Sequence, residues 1–269
     1  MDKIIIFGEK INTINQAVAK ALEEKDKKFF QQLTQAQLKS GIVDVIDINV
    51  GSNMQIEAEN MRWAVETIEE VTNGEIPLSI DSSDPGTIIA GIEEIKNKKG
   101  TYLNSITLEK KRYRDLLPLA KEHNLNIIAL PIDENGIPRS SSNRLKLAYR
   151  IVDLLLNYGI SLDKLFIDCL IEPVSISKKN AMLSLETVSK IKHNIPQVRT
   201  FICLSAVSFG LPNRRLINRN FLSLLIKEGI DSIILDPLDD NLVDNLYAAK
   251  MLLEKDENCM NYINYIRRK

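Results

Sequence analysis

Glu9, Asp47 with Asn49, Asp81, Asn104, Asp133, Asp168, Ser205 and Asp236 each stand where a short β-rich run stops and a helical pattern is about to begin. In DINVG (47–51) an acid and an amide are two residues apart, hence on the same side of a strand, and a glycine follows where a tight turn is needed. IDSSDPG (80–86) repeats the theme, with Asp81 as the ligand group and Asp84 as the cap of a helix that starts at Pro85. Carboxylates accept from ring N–H and exocyclic amino groups, whereas a carboxamide both donates and accepts. Asp81 and Asp168 with Asn104 therefore suit a flat heterocycle with an amino-pyrimidine edge. Other uses stay open: Asn49 as a helix cap, Asp47 as a lysine partner, and Asp81 with Asp168 as oxygen ligands of magnesium. His123 and His193 both fall near the C-terminal ends of helical patterns, so neither a Ser-His-Asp triad nor a His-rich metal site is expected.

For such residues to meet, their strands must end on one face. Eight runs are short and apolar enough to be strands buried on both faces: IIIFGE from Ile4, VDVIDINV from Val43, PLSID from Pro77, TYLNSI from Thr101, NIIALPID from Asn126, LFIDCLI from Leu165, TFICLSA from Thr200 and SIILDP from Ser232. Helical periodicity fills the intervals. In one of them Leu145, Ala148, Val152, Leu155 and Leu156 share a face, and Arg144, Lys146, Arg150 and Asp153 stay off it. Gly41, Gly159 and Gly229 stand where such helices stop, and Ser141 where one begins. Eightfold βα alternation without a linker predicts an α/β fold, a single (β/α)8 TIM barrel over residues 1–269, with the strand ends converging on one pocket. The tail ENCMNYINYIRRK (257–269) is too apolar to be free and is expected to dock, and Trp63 is expected in core or subunit packing.

Composition narrows the partners. A net charge of -1 with interspersed signs offers nothing to nucleic acid or an anionic membrane. No stretch approaches the roughly 18 apolar residues of a membrane helix, and the N-terminus lacks a long apolar h-region, so the expected location is cytoplasmic. Three widely separated cysteines without CxxC spacing suggest neither a disulfide framework nor zinc.

The motifs GEKIN, DINVG, LSIDSS, LNS, LFIDCLI and above all CLSAVSFGLPNRRLINRNFL (203–222) resemble, over essentially the whole chain, a family of pterin-binding methyltransferases. Those enzymes move a methyl group between N5 of tetrahydrofolate and the cobalt of a corrinoid. The resemblance implies that Asp81, Asn104 and Asp168 hydrogen-bond the pterin ring, with Glu9, Asp47 and Asn49 lining the same cavity. Ser205 would join the substrate-binding set, with Arg214, beside Arg215 and Arg219, a candidate for contacts to the folate tail carboxylates or to the corrinoid side. A homodimer is implied too, as is a corrinoid (cobalamin) over the barrel mouth, arriving on a corrinoid protein or as free methylcobalamin. Neither KEHNLN nor IKHNIP fits a DxHxxG-like corrinoid motif, so the cofactor is expected in trans.

One position departs from that family. Where its members typically read LSNVS, with the asparagine reaching toward N5, this chain has Ala206 between Ser205 and Val207. Departure of a methyl group from a tertiary amine needs a proton or hydrogen bond at N5, which alanine cannot supply. Three accounts follow: a water or nearby carboxylate relays the proton, the alanine is an introduced truncation, or the chain binds pterin without methyl transfer. Dihydropteroate synthase shares barrel and pterin site, but ends its last strands with basic groups where this chain reads LDPLDD.

Overall fold

In the computed structural model, which describes residues 3–51 and 56–269, eight short strands follow one another around a closed parallel barrel. They are β1 (Ile5–Asn12), β2 (Val45–Asn49), β3 (Leu78–Asp81), β4 (Tyr102–Ile106), β5 (Asn126–Ala129), β6 (Leu165–Asp168), β7 (Arg199–Cys203) and β8 (Ser232–Leu235), and β8 pairs back to β1. Helices occupy every interval, as the alternation predicts. The strands are apolar outward because Ile46, Ile48, Ile80, Leu103, Ile167, Ile202 and Ile233 pack against the helical layer in the larger core cluster.

Inside the barrel the side-chain period of two separates the strand into layers. Phe7, Val45, Tyr102, Ile128, Phe166, Phe201 and Ile234 form a second core cluster that plugs the interior. Its rings meet edge to face, Phe7 with Tyr102 at 4.8 Å, Phe7 with Phe201 at 5.2 Å and Tyr102 with Phe166 at 5.1 Å. Such pairs are worth about 0.5–1.5 kcal/mol each beyond their buried area. Two residues further along, the same strands present Glu9, Asp47, Asn104, Asp168, Cys203 and Asp236. An apolar floor thus gives way to a polar layer at the C-terminal end.

Helix starts and stops follow local chemistry. Asp84 accepts from the Thr87 backbone N–H at 2.7 Å, with Pro85 next in the first turn. Gly159 and Gly229 take the left-handed conformation just past the helices Ser141–Asn157 and Arg214–Glu228. Trp63 packs edge-on against Phe30 at 5.0 Å, between the helices Glu57–Thr72 and Lys27–Lys39. The tail folds as a helix, Met260–Arg268, and docks on Asp240–Leu252 of its own chain, where Tyr265 stacks on Tyr247 at 4.2 Å and bonds Asp244 at 2.7 Å.

Two expectations for helix Ser141–Asn157 are corrected. Leu156, assigned to its buried face, is 53% exposed. Arg144, placed off that face, is fully buried. Its guanidinium donates to the Cys169 carbonyl at 2.9 Å and the Leu170 carbonyl at 2.6 Å, and its Nε to the Pro138 carbonyl at 3.2 Å. Charge alone misled the periodic reading: a long side chain can cross the buried face to reach backbone oxygens that would otherwise be orphaned. Arg144→Met should strand those carbonyls and cost about 3 kcal/mol of folding stability in urea titration, against less than about 1 kcal/mol for Lys146→Met on the exposed side.

Candidate active site

A cavity of about 610 Å³ opens at the C-terminal end of the barrel, of a size that encloses a small organic ligand. Glu9, Asp47, Asp81, Ser205, Ala206 and Arg214 lie in its wall. Asn49 and Asn104 stand directly behind: Asn49 Nδ2 donates to Asp81 at 2.9 Å, and Asn104 Nδ2 to Asp47 at 3.3 Å. Strand register explains the first pair, since Asn49 lies opposite Asp81 on β3, while Asn104, opposite Asp81 on β4, reaches across β3 to Asp47 on β2. Each acid is held by an amide, so its remaining lone pairs are presented in fixed directions.

Asp168 ends β6 and accepts from the Leu170 backbone N–H at 2.7 Å. The turn beyond it is clamped from outside by Arg144 and by the Ser184 hydroxyl, which bonds the Leu170 carbonyl at 2.5 Å. A second buried arginine, Arg112, joins the ends of β3 and β4 by donating to the Ser82 carbonyl at 3.3 Å and the Ser105 carbonyl at 3.0 Å. Both arginines brace loops that position the acids.

On β1 the register with β2 slips between Gly8 and Ile11, the mark of a bulge. Gln37 Oε1 caps the exposed Lys10 N–H at 3.1 Å, an approach that Gly8 permits because a Cβ there would collide with that oxygen. Successive strand residues ordinarily face opposite ways, yet Glu9 and Lys10 both reach the cavity. Lys10 pairs with Asp236 at 2.9 Å.

Beyond β7 the chain turns through a short 3-10 segment, Leu204–Ser208. Arg214 ties this turn down, donating to the Ser205 carbonyl at 2.8 Å and the Ser208 hydroxyl at 3.1 Å, with its guanidinium 5.6 Å from the Phe209 ring centre. Arg215 leans toward Asp239 at 3.8 Å. Arg219, unlike Arg214 and Arg215, is not among the residues that line the cavity. Asp133 is also corrected: β5 stops at Ala129, and Asp133 lies in a turn, bonded to Arg150 at 2.7 Å, which holds its carboxyl below the usual range.

Lys10, Arg112, Arg144 and Asn218 were missed in the sequence reading. Lys10 sits inside the GEKIN motif and could have been found there. The arginines lie in charge-rich stretches that read as solvated surface. Asn218 lines the cavity with a buried Oδ1 that has no partner among the described residues.

Burial raises the carboxyl groups of Asp47, Asp81 and Asp168, Asp47 well above its ordinary value and the other two to about 6. Asp81 adds like-charge repulsion on Asp47, and Asn49 partly offsets the shift at Asp81. Glu9 is raised too, mainly by burial and against the hydrogen bond of Ser205. A layer of acids reluctant to ionise alone favours a ligand rich in N–H donors, which compensates the carboxylates once bound.

A parallel barrel with a polar-edged slot at its C-terminal face defines a small-molecule enzyme site. The chain belongs to the pterin binding enzyme family, whose model matches residues 8–236. It is 30% identical to a methylcorrinoid:tetrahydrofolate methyltransferase of Eubacterium limosum, over 98% of this chain and 96% of that one. It is also 26% identical to methionine synthase of Mycobacterium leprae, over 86% of this chain but only 20% of that much longer protein. In fold it is similar to a dihydropteroate synthase from Yersinia pestis solved with a pterine-sulfa conjugate, with a TM-score of 0.65 at 15% identity over 93% of this chain and 94% of the other. A Coxiella burnetii dihydropteroate synthase in complex with pteroic acid gives the same TM-score and identity over 94% and 95%.

The raised acids carry a pH consequence. A carboxyl whose folded value exceeds its unfolded one favours folding while protonated, and that contribution is lost as pH rises through the folded value. Asp81→Asn removes this penalty. Without ligand, the melting temperature of the variant relative to the wild type should therefore climb between about pH 4 and pH 7, as differential scanning fluorimetry would read.

Proposed function

We propose that this protein is a methyltransferase that moves a methyl group between N5 of tetrahydrofolate and the cobalt of a corrinoid: methylcobalamin and tetrahydrofolate to cob(I)alamin and 5-methyltetrahydrofolate, or the reverse. The observation that carries this reading is the similarity to the Eubacterium limosum methyltransferase along nearly the full length of both chains. The site is compatible with it. Asp47 and Asp81, held by Asn104 and Asn49 in the cavity wall, present acceptors of the kind an aminopyrimidine ring needs, and Asp168, at the end of β6 just outside that wall, would add a third. Ser205 and Arg214 lie on the same wall.

A corrinoid arriving in trans, on a partner protein or free, is the second substrate. It supplies or accepts the methyl group. The mouth of the barrel suits a large macrocycle with apolar faces, because Ile14, Ile176, Phe209 and Leu238 stand exposed on the loops after β1, β6, β7 and β8. Here the protein's task is orientation: it holds the pterin edge on the acid layer so that N5 faces the incoming carbon, and proximity replaces covalent catalysis. The reading includes a homodimer, which rests on the family resemblance, and a location in the cytoplasm, which rests on the sequence pattern. No helix among the described residues is long and apolar enough to cross a membrane.

Ala206 favours a second reading, a pterin binder without turnover, because its methyl group offers no hydrogen bond in the cavity wall. Mixing the protein with tetrahydrofolate and methylcobalamin should generate the Co(I) spectrum, or the reverse mixture should consume it. Folate binding with neither change would establish the binder instead. Asp81→Ala and Asp168→Ala should each weaken tetrahydrofolate binding about 10- to 100-fold, the loss of one hydrogen bond to a charged group, and unchanged affinity in both would remove the pterin assignment.

A further inference from the structure

Most charged groups in the cavity wall are already engaged. Lys10 pairs with Asp236, Arg215 leans on Asp239, and Arg214 is bonded to the turn after β7. Asp47 and Asp81 are each fixed by a carboxamide. Glu9 differs: among the described residues its carboxyl is in no ion pair, and it shares the cavity wall with the Ser205 hydroxyl. Glu9 lies two positions beyond Phe7 on β1, on the same inward side, and so faces the cavity. Ser205 in turn precedes Ala206 on the 3-10 segment, so a carboxyl and a hydroxyl stand beside the apolar gap that Ala206 leaves in the wall.

We propose that Glu9 is the proton-carrying residue of the methyl transfer, acting directly or through Ser205 Oγ. With tetrahydrofolate as acceptor, the N5 lone pair forms the new C–N bond while the carbon–cobalt bond breaks, its electron pair staying with the corrinoid. The proton that N5 then releases passes to the Glu9 carboxylate. In the opposite direction the Glu9 carboxyl returns that proton to N5, the C–N bond breaks with its pair on nitrogen, and the methyl group leaves with the corrinoid. The inference rests on the methyltransferase reading.

The surroundings tune Glu9 for both directions. Burial raises its carboxyl first of all, Asp236 raises it further, and Lys10 with Arg214 lower it. Asp47 from β2 and the Cys203 thiol from β7 also feel its charge. A carboxyl moved upward from the ordinary glutamate range can both take and give a proton nearer to neutrality. With tetrahydrofolate as acceptor the carboxylate is the active form, so the rate should rise with pH through this titration. With methyltetrahydrofolate as donor the rate should fall.

Two measurements on Glu9→Gln test the assignment. Calorimetry of tetrahydrofolate binding without corrinoid, in buffers of different ionisation enthalpy, counts the protons exchanged. The wild type should show a pH-dependent count that the variant loses, with affinity kept within about threefold. Methyl transfer by the variant should drop at least about 100-fold and lose the pH limb, the scale of a missing general acid–base, and Glu9→Asp should restore part of both. A variant that keeps rate and pH profile, or that loses affinity with kcat unchanged, would overturn the proposal. Should the wild type transfer no methyl group in either direction, the methyltransferase reading falls and this proposal with it; a wild type that transfers while Glu9→Gln keeps its rate and pH profile sinks the proposal alone.

Discussion

Everything in this molecule depends on the period-two alternation of strands inside a closed barrel. Phe7 and Glu9 differ by two positions, as do Val45 and Asp47, Tyr102 and Asn104, Phe166 and Asp168, and Ile234 and Asp236. Each pair therefore points inward at successive heights, and the rings that fill the lower layer deny water to the acids above. Desolvation and mutual repulsion then lift the carboxyl groups. The aromatic packing that stabilises the barrel and the unusual acidity of its mouth are two results of one geometry.

That geometry comes at a cost in loose ends, and buried arginines meet it. The loops beyond β3 and β6 and the end of β4 itself carry backbone carbonyls that Arg112 and Arg144 collect. Burial pushes both guanidinium groups down from their ordinary value. Neither approaches the ligand space as a binding group. They act on the scaffold, fixing the loops that follow Asp81 and Asp168 at the ends of β3 and β6.

Strand order, barrel closure and the polar ring were legible in the sequence because each rests on local pattern: β-branched runs, helical periodicity, and a polar residue at the junction. Asp84 with Pro85, Gly159 and Gly229 were readable for the same reason. What could not be read depends on long-range placement. Arg144 looked like surface until its helix was set against β6, and Asp133 looked like a strand end until β5 proved to stop four residues earlier. The β1 bulge is invisible in GEKIN, since nothing local reveals that Gln37 will cap Lys10 across 27 residues. Hence the sequence placed Glu9 among the cavity residues without showing why its side chain, and that of Lys10, could both be there.

The plug of Phe7, Tyr102, Phe166 and Phe201 has one more consequence, which concerns traffic. A barrel sealed at one end is a blind alley, so whatever enters by the mouth must leave by it. Two reactants that meet there cannot arrive in arbitrary order: the one that sits deeper goes in first, and the one that covers the opening goes in last. Departure reverses the sequence. For the proposed methyl transfer, a compulsory order of binding would then follow from four aromatic rings at the closed end of the barrel.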